Sequence, residues 1–356
     1  MVCKMRLIQK SSNGIERRKN MAQLLSLENV TLTVEKENSK QAIVKHVSFS
    51  INEGEIVALV GESGSGKSVT AQSIVGLNQE SIHIDDGNIA FQANELTNLQ
   101  ESEWNQIRGK DISFIFQDPL SSLNPTMKVG KQITEVVLQH GKKSKREAKE
   151  IAINLLMGLG IHEAEKRFEQ YPHQLSGGMR QRICLAIAFA CHPKLVIADE
   201  PTTALDVTIQ KQIMGLLKER KEKQNTSILL ITHDLALVRE VADRVVVMYG
   251  GRVVEKGTIQ EVIGSPKHPY TKSLLQAIPN MDDSEKVLRA IEGTTPSIET
   301  LNSFGCPFVN RCPVAIKECI HRFPERTTYS KEHSSHCWQH VLEHNKAKSK
   351  EKVNAS

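Results

Sequence analysis

Alternating hydrophobic and polar positions open the chain. LLSLENVTLTV, residues 24–34, reads as a half-buried strand, and AIVKHVSFSI, residues 42–51, as a second one beyond a turn at ENSKQ. EIVALVG (55–61) is a short apolar run that stops at glycine, and from Lys67 the period becomes helical through SVTAQSIVGL. DISFIFQ (111–117) is another strand. Residues 118–180 are mainly helical in pattern, through VGKQITEVVLQH and REAKEIAINLLMGLG. LVIADE (195–200) reads as a buried strand, TIQKQIMGLLKERKEK as an amphipathic helix, and SILLITHD (227–234) as a strand. RVVVMYGGRVVEKG predicts a hairpin turning at Gly250-Gly251. Strands alternating with helices predict an α/β fold with a largely parallel sheet, and the β-rich opening predicts an antiparallel flap beside it.

The pattern changes after about residue 263. SPKHPYT, AIPN, GTTPS and a cysteine-rich stretch are dense in proline and turns, with one short helix, DDSEKVLRAI, between them. The expected organisation is a basic, disordered extension over 1–21, a main domain over 22–262, an accessory domain over 263–340 and a basic tail over 341–356. Hydrophobic content of 39% and charged content of 24% suit a soluble globular chain. The net charge of +5 is mild, and much of the excess sits at the two ends, which lack interleaved aromatics and read as solvated tails. No apolar run approaches the ~20 residues of a membrane span. The N-terminus has no apolar signal core, so a cytosolic setting is expected, where disulfides rarely persist. Met21 offers a second start.

Three motifs carry chemistry. GESGSGKS, comprising Gly61, Glu62, Ser63, Gly64, Ser65, Gly66, Lys67 and Ser68, fits G-x-x-x-x-G-K-[ST] and lies between a strand and a helix. Its glycines let backbone N–H groups curl towards phosphate oxygens, and the helix that continues through Val69 adds its positive end. Lys67 can reach the β- and γ-phosphates and Ser68 can ligate Mg²⁺. LVIADE places Asp199 and Glu200 at the carboxyl edge of the sheet, the first suited to hold Mg²⁺, the second to polarise an attacking water. LSGGMRQR puts Leu175, Ser176, Gly177, Gly178 and Met179 ahead of a helix, a second anion-binding terminus. A chain with one phosphate loop has a use for it if two subunits face each other and each closes the other's site.

With these motifs the chain resembles the ATP-binding cassette family of P-loop NTPases over about residues 24–262. The resemblance implies a mixed-sheet core with an antiparallel flap and a helical subdomain at about 118–180. It makes Gln117 the Q-loop residue that senses the γ-phosphate and Mg²⁺, Asp206 in TTALD the D-loop, and His233 in ITHD the switch histidine. Gln117, Glu200 and His233 are then the catalytic set, with Mg²⁺ held through Ser68, Gln117 and Asp199. The family usually places an aromatic residue near the end of the first strand to stack on adenine. Val34 stands there instead, which offers no π-face and implies modest nucleotide affinity.

A finer resemblance covers about residues 24–340. GESGSGKSVTAQSIVGL, FQDPLSSLNPTMKVGKQI, LSGGMRQR and HPYTKSLLQAIP look like the D-type ATPase subunit of oligopeptide and dipeptide permeases. That group imports peptides, and relatives import nickel or metal chelates. The resemblance implies a second ATPase subunit, two membrane subunits, a solute-binding protein outside and a place on the cytoplasmic face of the cell membrane. Nucleic acid is not an expected partner: a soluble cassette acting on nucleic acid or ribosomes would carry tandem cassettes or long insertions, and an export ATPase would lack this tail.

Cys306, Cys312, Cys319 and Cys337 crowd the accessory domain, with gaps of five, six and 17 residues. Disulfides, unligated thiols, zinc and an iron–sulfur cluster compete. The gaps are wide for zinc knuckles, and an iron–sulfur cluster held by four thiolates tolerates them better. Some members of the resembling group look able to hold a [4Fe–4S] cluster here. His321, His333, His336 and His340 lie nearby and could replace a ligand, with surface residues as the default reading. Cys3 is remote, and Cys184 and Cys191 read as core.

Overall fold

The computed structural model describes residues 22–36, 39–203, 205–277, 291–294 and 304–342. The readings on 1–21 with Cys3 and Met21, on all but the last residue of the helix DDSEKVLRAI and on the tail beyond 342 lie outside the described residues.

Short apolar runs build the centre of the main sheet: β3 (Ile56–Val60), β7 (Leu195–Asp199), β8 (Ser227–Thr232) and β9 (Arg244–Tyr249). With β6 (Ile112–Ile115), β10 (Arg252–Thr258) and the two-residue strands β11 (Thr327–Thr328) and β12 (Ser334–Ser335), the order is β11-β12-β10-β9-β3-β8-β7-β6. The stretch from β9 to β6 is parallel, and the other three strands are antiparallel. Successive side chains alternate between two cores. In β3, Ile56, Ala58 and Val60 face one and Val57 and Leu59 the other. A strand buried on both faces needs an unbroken apolar run, which is why these segments do not alternate with polar residues.

One face is covered by the flap, a four-stranded sheet in the order β2-β1-β4-β5 that joins β1 (Gln23–Lys36), β2 (Ser39–Asn52), β4 (Ile82–Phe91) and β5 (Asn94–Glu95). The hydrophobic pattern does not announce β4, because Asp85-Asp86-Gly87 at its centre has the composition of a turn. The strand instead passes through with a bulge. Gly87 has φ 88, and a Cβ there would lie 2.5 Å from the Glu28 carbonyl oxygen, so the close approach of β1 requires glycine.

The other face carries helices α1 (Val129–His140), α2 (Lys145–Gly158) and α3 (Gly177–Phe189). Ser144 and Glu147 cap α2 reciprocally: each side chain accepts the other's backbone N–H. The C-terminal region joins this same core. β12 pairs with β10, extending the main sheet, and Phe308 packs edge-on to Tyr249 with ring centroids 5.2 Å apart. Burying a ring the size of Phe308 contributes about 1.5–3 kcal/mol. Buried Glu255 ties the region down, accepting from His333 Nε2 and from the backbone N–H groups of Lys267 and His268, each at 2.8 Å. Burial alone would raise its pKa, and these bonds hold it below the ordinary value.

Candidate functional site

Neighbouring parallel strands in the order β6-β7-β8-β3 end on one edge, and each passes its next residues to the same place. Gln117 follows β6, Asp199 and Glu200 close β7, His233 follows β8, and GESGSGKS follows β3. The loop curls through positive φ at Gly64 and Gly66 before the helix Lys67–Ile74 begins.

Lys67 is 5% exposed and turns back onto its own loop. Its Nζ donates to the carbonyls of Gly61 at 2.8 Å and Glu62 at 2.9 Å. Burial lowers its pKa, while Glu200, Asp199 and Glu62 oppose that shift. Ser68 Oγ donates to Asp199 Oδ1 at 3.0 Å. Burial raises the Asp199 pKa, the Ser68 hydrogen bond pulls it down, and the charge of Glu200 pushes it up again. A hydroxyl facing a carboxylate at the mouth of a phosphate loop is an oxygen donor set that suits Mg²⁺.

Glu200 is the hub. Its backbone has φ 44 and its N–H donates to the Ile231 carbonyl at 2.9 Å. Its carboxylate accepts from Gln117 Nε2 and Thr203 Oγ1, each at 2.9 Å, and lies 3.2 Å from His233 Nδ1. Three side chains thereby orient one carboxylate at the edge of the loop.

Ser176 caps α3 by accepting from the Met179 N–H at 3.3 Å, and Asp206 caps the helix Val207–Gln224 by accepting from Ile209 at 2.9 Å. The two turns pack together, for a Cβ at Gly178 would meet Ile209 at 3.3 Å. Leu175 is buried, whereas Ser176 and Gly177 face solvent. Among the described residues no hydrogen bond joins this turn to the phosphate loop.

The family model described as ABC transporter matches residues 44–203, and that of the oligopeptide/dipeptide transporter C-terminal region matches 254–319. The oligopeptide transport ATP-binding protein AppD of Bacillus subtilis (strain 168) is 48% identical over 89% of this chain and 97% of its own length. The chain belongs to the ABC transporter family. The oligopeptide transport ATP-binding protein OppD of Escherichia coli (strain K12) is 46% identical over 83% of this chain and 87% of its own. Among solved structures, a dimeric ATP-binding cassette in a post-hydrolysis state with ADP and Pi superposes with a TM-score of 0.60 at 29% identity, covering 66% of this chain and 99% of that one.

In this ABC ATPase the C-terminal region grips the phosphate loop, a contact the sequence reading missed. Tyr270 Oη accepts from the Glu62 N–H at 2.8 Å, and Arg311 forks onto the Glu62 carboxylate at 2.6 and 3.1 Å. Arg311 also donates to Tyr249 Oη at 3.1 Å. Burial works against its charge, but Glu62 and Tyr249 outweigh it and raise its pKa. Replacing Arg311 by Gln strips the Glu62 carboxylate of a charged partner, a loss of about 1.5–3 kcal/mol. If about half of it is felt at the loop, KM for ATP rises roughly 4- to 12-fold with kcat little changed. Lys at 311 keeps the charge without the fork and falls between. Steady-state kinetics of the two variants measure this, and an unchanged KM would remove the loop contact from nucleotide binding.

The metal readings of the cysteines, an iron–sulfur cluster or zinc, gain no support: among the described residues no group of three or more His, Cys, Asp or Glu side chains is placed to hold a metal ion. Burial pushes the Cys306 thiol up to about 12 and raises Cys312 and Cys337, and the neighbouring thiols add to the shift, with Cys312, Cys319 and Cys337 all acting on Cys306. Cys306 and Cys319 belong to the helical-face core and share a backbone bond, Cys306 N–H to Cys319 carbonyl, at 2.7 Å. The histidines also differ from the surface default. His333 is buried on Glu255, His336 lies 3.0 Å from the Pro324 carbonyl and His340 2.9 Å from that of Lys267, while His321 is exposed.

Proposed function

We propose that this ATPase energises peptide uptake as one of two nucleotide-binding subunits of an importer at the cytoplasmic face of the cell membrane. The observation that carries the reading is the convergence of GESGSGKS, the Ser68–Asp199 pair and the Gln117–Glu200–His233 cluster on one sheet edge, while the Ser176 turn stands apart and exposed. A site with its own phosphate loop and a separate second anion terminus is completed by another subunit, so each ATP lies between the loop of one chain and the LSGGM turn of its partner. The dimeric form of the solved cassette supports this arrangement.

Each residue has a task in that site. Lys67 exchanges its two carbonyl partners for phosphate oxygens, and the N–H groups of Gly61 to Val69 surround them. Ser68, Asp199 and Gln117 hold Mg²⁺, which when bound neutralises charge on the phosphoryl oxygens. Glu200 polarises the attacking water, held in place by Gln117, Thr203 and His233, and His233 reports the γ-phosphate. Asp206 lies beside the turn that meets the partner.

The peptide class rests on the named relatives and the matched C-terminal region. Exposed Phe116 and Leu120, flanking Gln117, offer apolar contact for the membrane subunits beside the residue that senses nucleotide. Reconstituted with two membrane subunits and a solute-binding protein in vesicles, the complex is expected to hydrolyse ATP faster when the binding protein carries peptide. Stimulation by a nickel chelate alone would transfer the reading to metal import, and a chain active only with nucleic acid would overturn it.

A further inference from the structure

A cavity of about 320 Å³ opens where the flap, β10 and the C-terminal region meet. Lys45 and Ser48 of β2, Arg252 and Lys256 of β10, and Phe323, Arg326 and His336 of the C-terminal region form its walls. Its volume lies at the small end of the range for small-molecule sites. No residue of the phosphate loop and no Asp or Glu is among the described residues that line it.

Cations held together in this way cost free energy. Burial and the charges of Arg326 and Arg244 push the Lys256 pKa down to about 8, against the pull of Glu332, which pairs with Arg244 Nε at 3.2 Å. Burial lowers Arg252, and burial together with the charge of Arg252 lowers Lys45. Lys256 Nζ donates to the Ser48 carbonyl at 2.9 Å, and the Arg252 guanidinium lies 4.3 Å over the Phe323 ring. These contacts place the side chains without neutralising them. Partly buried like charges are offset most directly by an anion in the space they share.

We infer that this cavity binds a small phosphate-bearing anion, gripped by Arg252, Lys256 and Arg326, at a site separate from the ATP loop. Several converging cations match an anion of more than one charge, and guanidinium groups fork onto phosphate oxygens. The site also has a route to nucleotide binding. Arg252 follows Gly251, whose N–H donates to the Ser65 carbonyl at 3.1 Å and whose carbonyl accepts from the Lys45 N–H at 2.8 Å. An anion that draws Arg252 and Lys45 together therefore bears on the backbone of the phosphate loop.

The test uses the full chain with its loop saturated by Mg²⁺ and a non-hydrolysable ATP analogue, titrated with inorganic pyrophosphate in a calorimeter. One further binding event is expected, weakened at least tenfold in the double variant Arg252→Gln/Lys256→Gln and weakened also by Arg326→Gln at an exposed position. The double variant without ligand is expected to melt higher than the wild type, because it loses mutually repelling charges; cations serving only to hold the fold would give the opposite shift. Wild-type binding is expected to weaken from pH 7 to pH 9, as Lys256, facing Arg326, Arg244 and Glu332 beside Lys45, Arg252, His46 and His336, gives up its proton. Sedimentation with phosphatidylcholine vesicles containing phosphatidic acid, without response to pyrophosphate, would assign the phosphate to a lipid headgroup. Silence in both arms, or equal pyrophosphate affinity in the double variant, overturns the site.

Discussion

Exchange of Glu200 for Gln is expected to leave ATP bound and to slow its hydrolysis by a factor of about 10²–10⁴, the span assigned to a positioned general base. Gln has the same length, and its carbonyl can still accept from Gln117 and Thr203, which now donate to Glu200 Oε2 at 2.9 Å. The backbone at φ 44 suffers nothing new, since its bond to the Ile231 carbonyl does not involve the side chain. What disappears is the negative charge that draws a proton from water. Transition-state stabilisation therefore falls while ground-state contacts persist, and kcat drops without a matching rise in the dissociation constant. If the site is shared between two subunits, the variant with Mg²⁺ and ATP is also expected to accumulate as a dimer on size-exclusion chromatography. Turnover near that of the wild type would remove Glu200 as the catalytic carboxylate.

The candidate site was legible in the sequence because its parts sit where regular structure ends. An apolar run that stops at a glycine, an acid pair or a histidine marks a strand's carboxyl edge, and adjacent parallel strands gather those edges. Gln117 and His233 lie far from Glu200 in the chain, and it was the resemblance to the ATP-binding cassette family that assigned them to the same site. The Tyr270 and Arg311 contacts with the phosphate loop were not legible. Arg311 lies 249 residues from Glu62, in a stretch whose cysteines draw attention to metal rather than to charge. β4 was hidden by a bulge that uses turn residues, and β11 and β12 are too short to have a period. The metal reading of the cysteines gained no support: the four thiols lie within electrostatic reach of one another, but among the described residues no group of three or more ligating side chains is placed to hold an ion.

Replacement of Lys67 by Ala should abolish useful ATP binding, the reverse of the Glu200 variant, which binds and stalls. The lysine's Nζ donates to the Gly61 and Glu62 carbonyls at 2.8 and 2.9 Å, so the cation is already sheltered by the loop it serves. Burial works against its charge, and nearby Glu200, Asp199 and Glu62 sustain it. When triphosphate enters, those charge-assisted bonds pass to its oxygens. Hydrogen bonds to charged groups contribute about 1.5–3 kcal/mol each, so losing two weakens ATP binding by about 10²-fold or more. Ala also leaves two carbonyls without their donor, which loosens the loop when no nucleotide is present. A Met at 67 fills the space without the charge and separates the two effects. If charge dominates, Met and Ala lose affinity alike in a fluorescent-nucleotide titration; if packing dominates, Met recovers most of it. Wild-type affinity in Lys67→Ala would refute the assignment of this lysine to the phosphates, whatever the turnover.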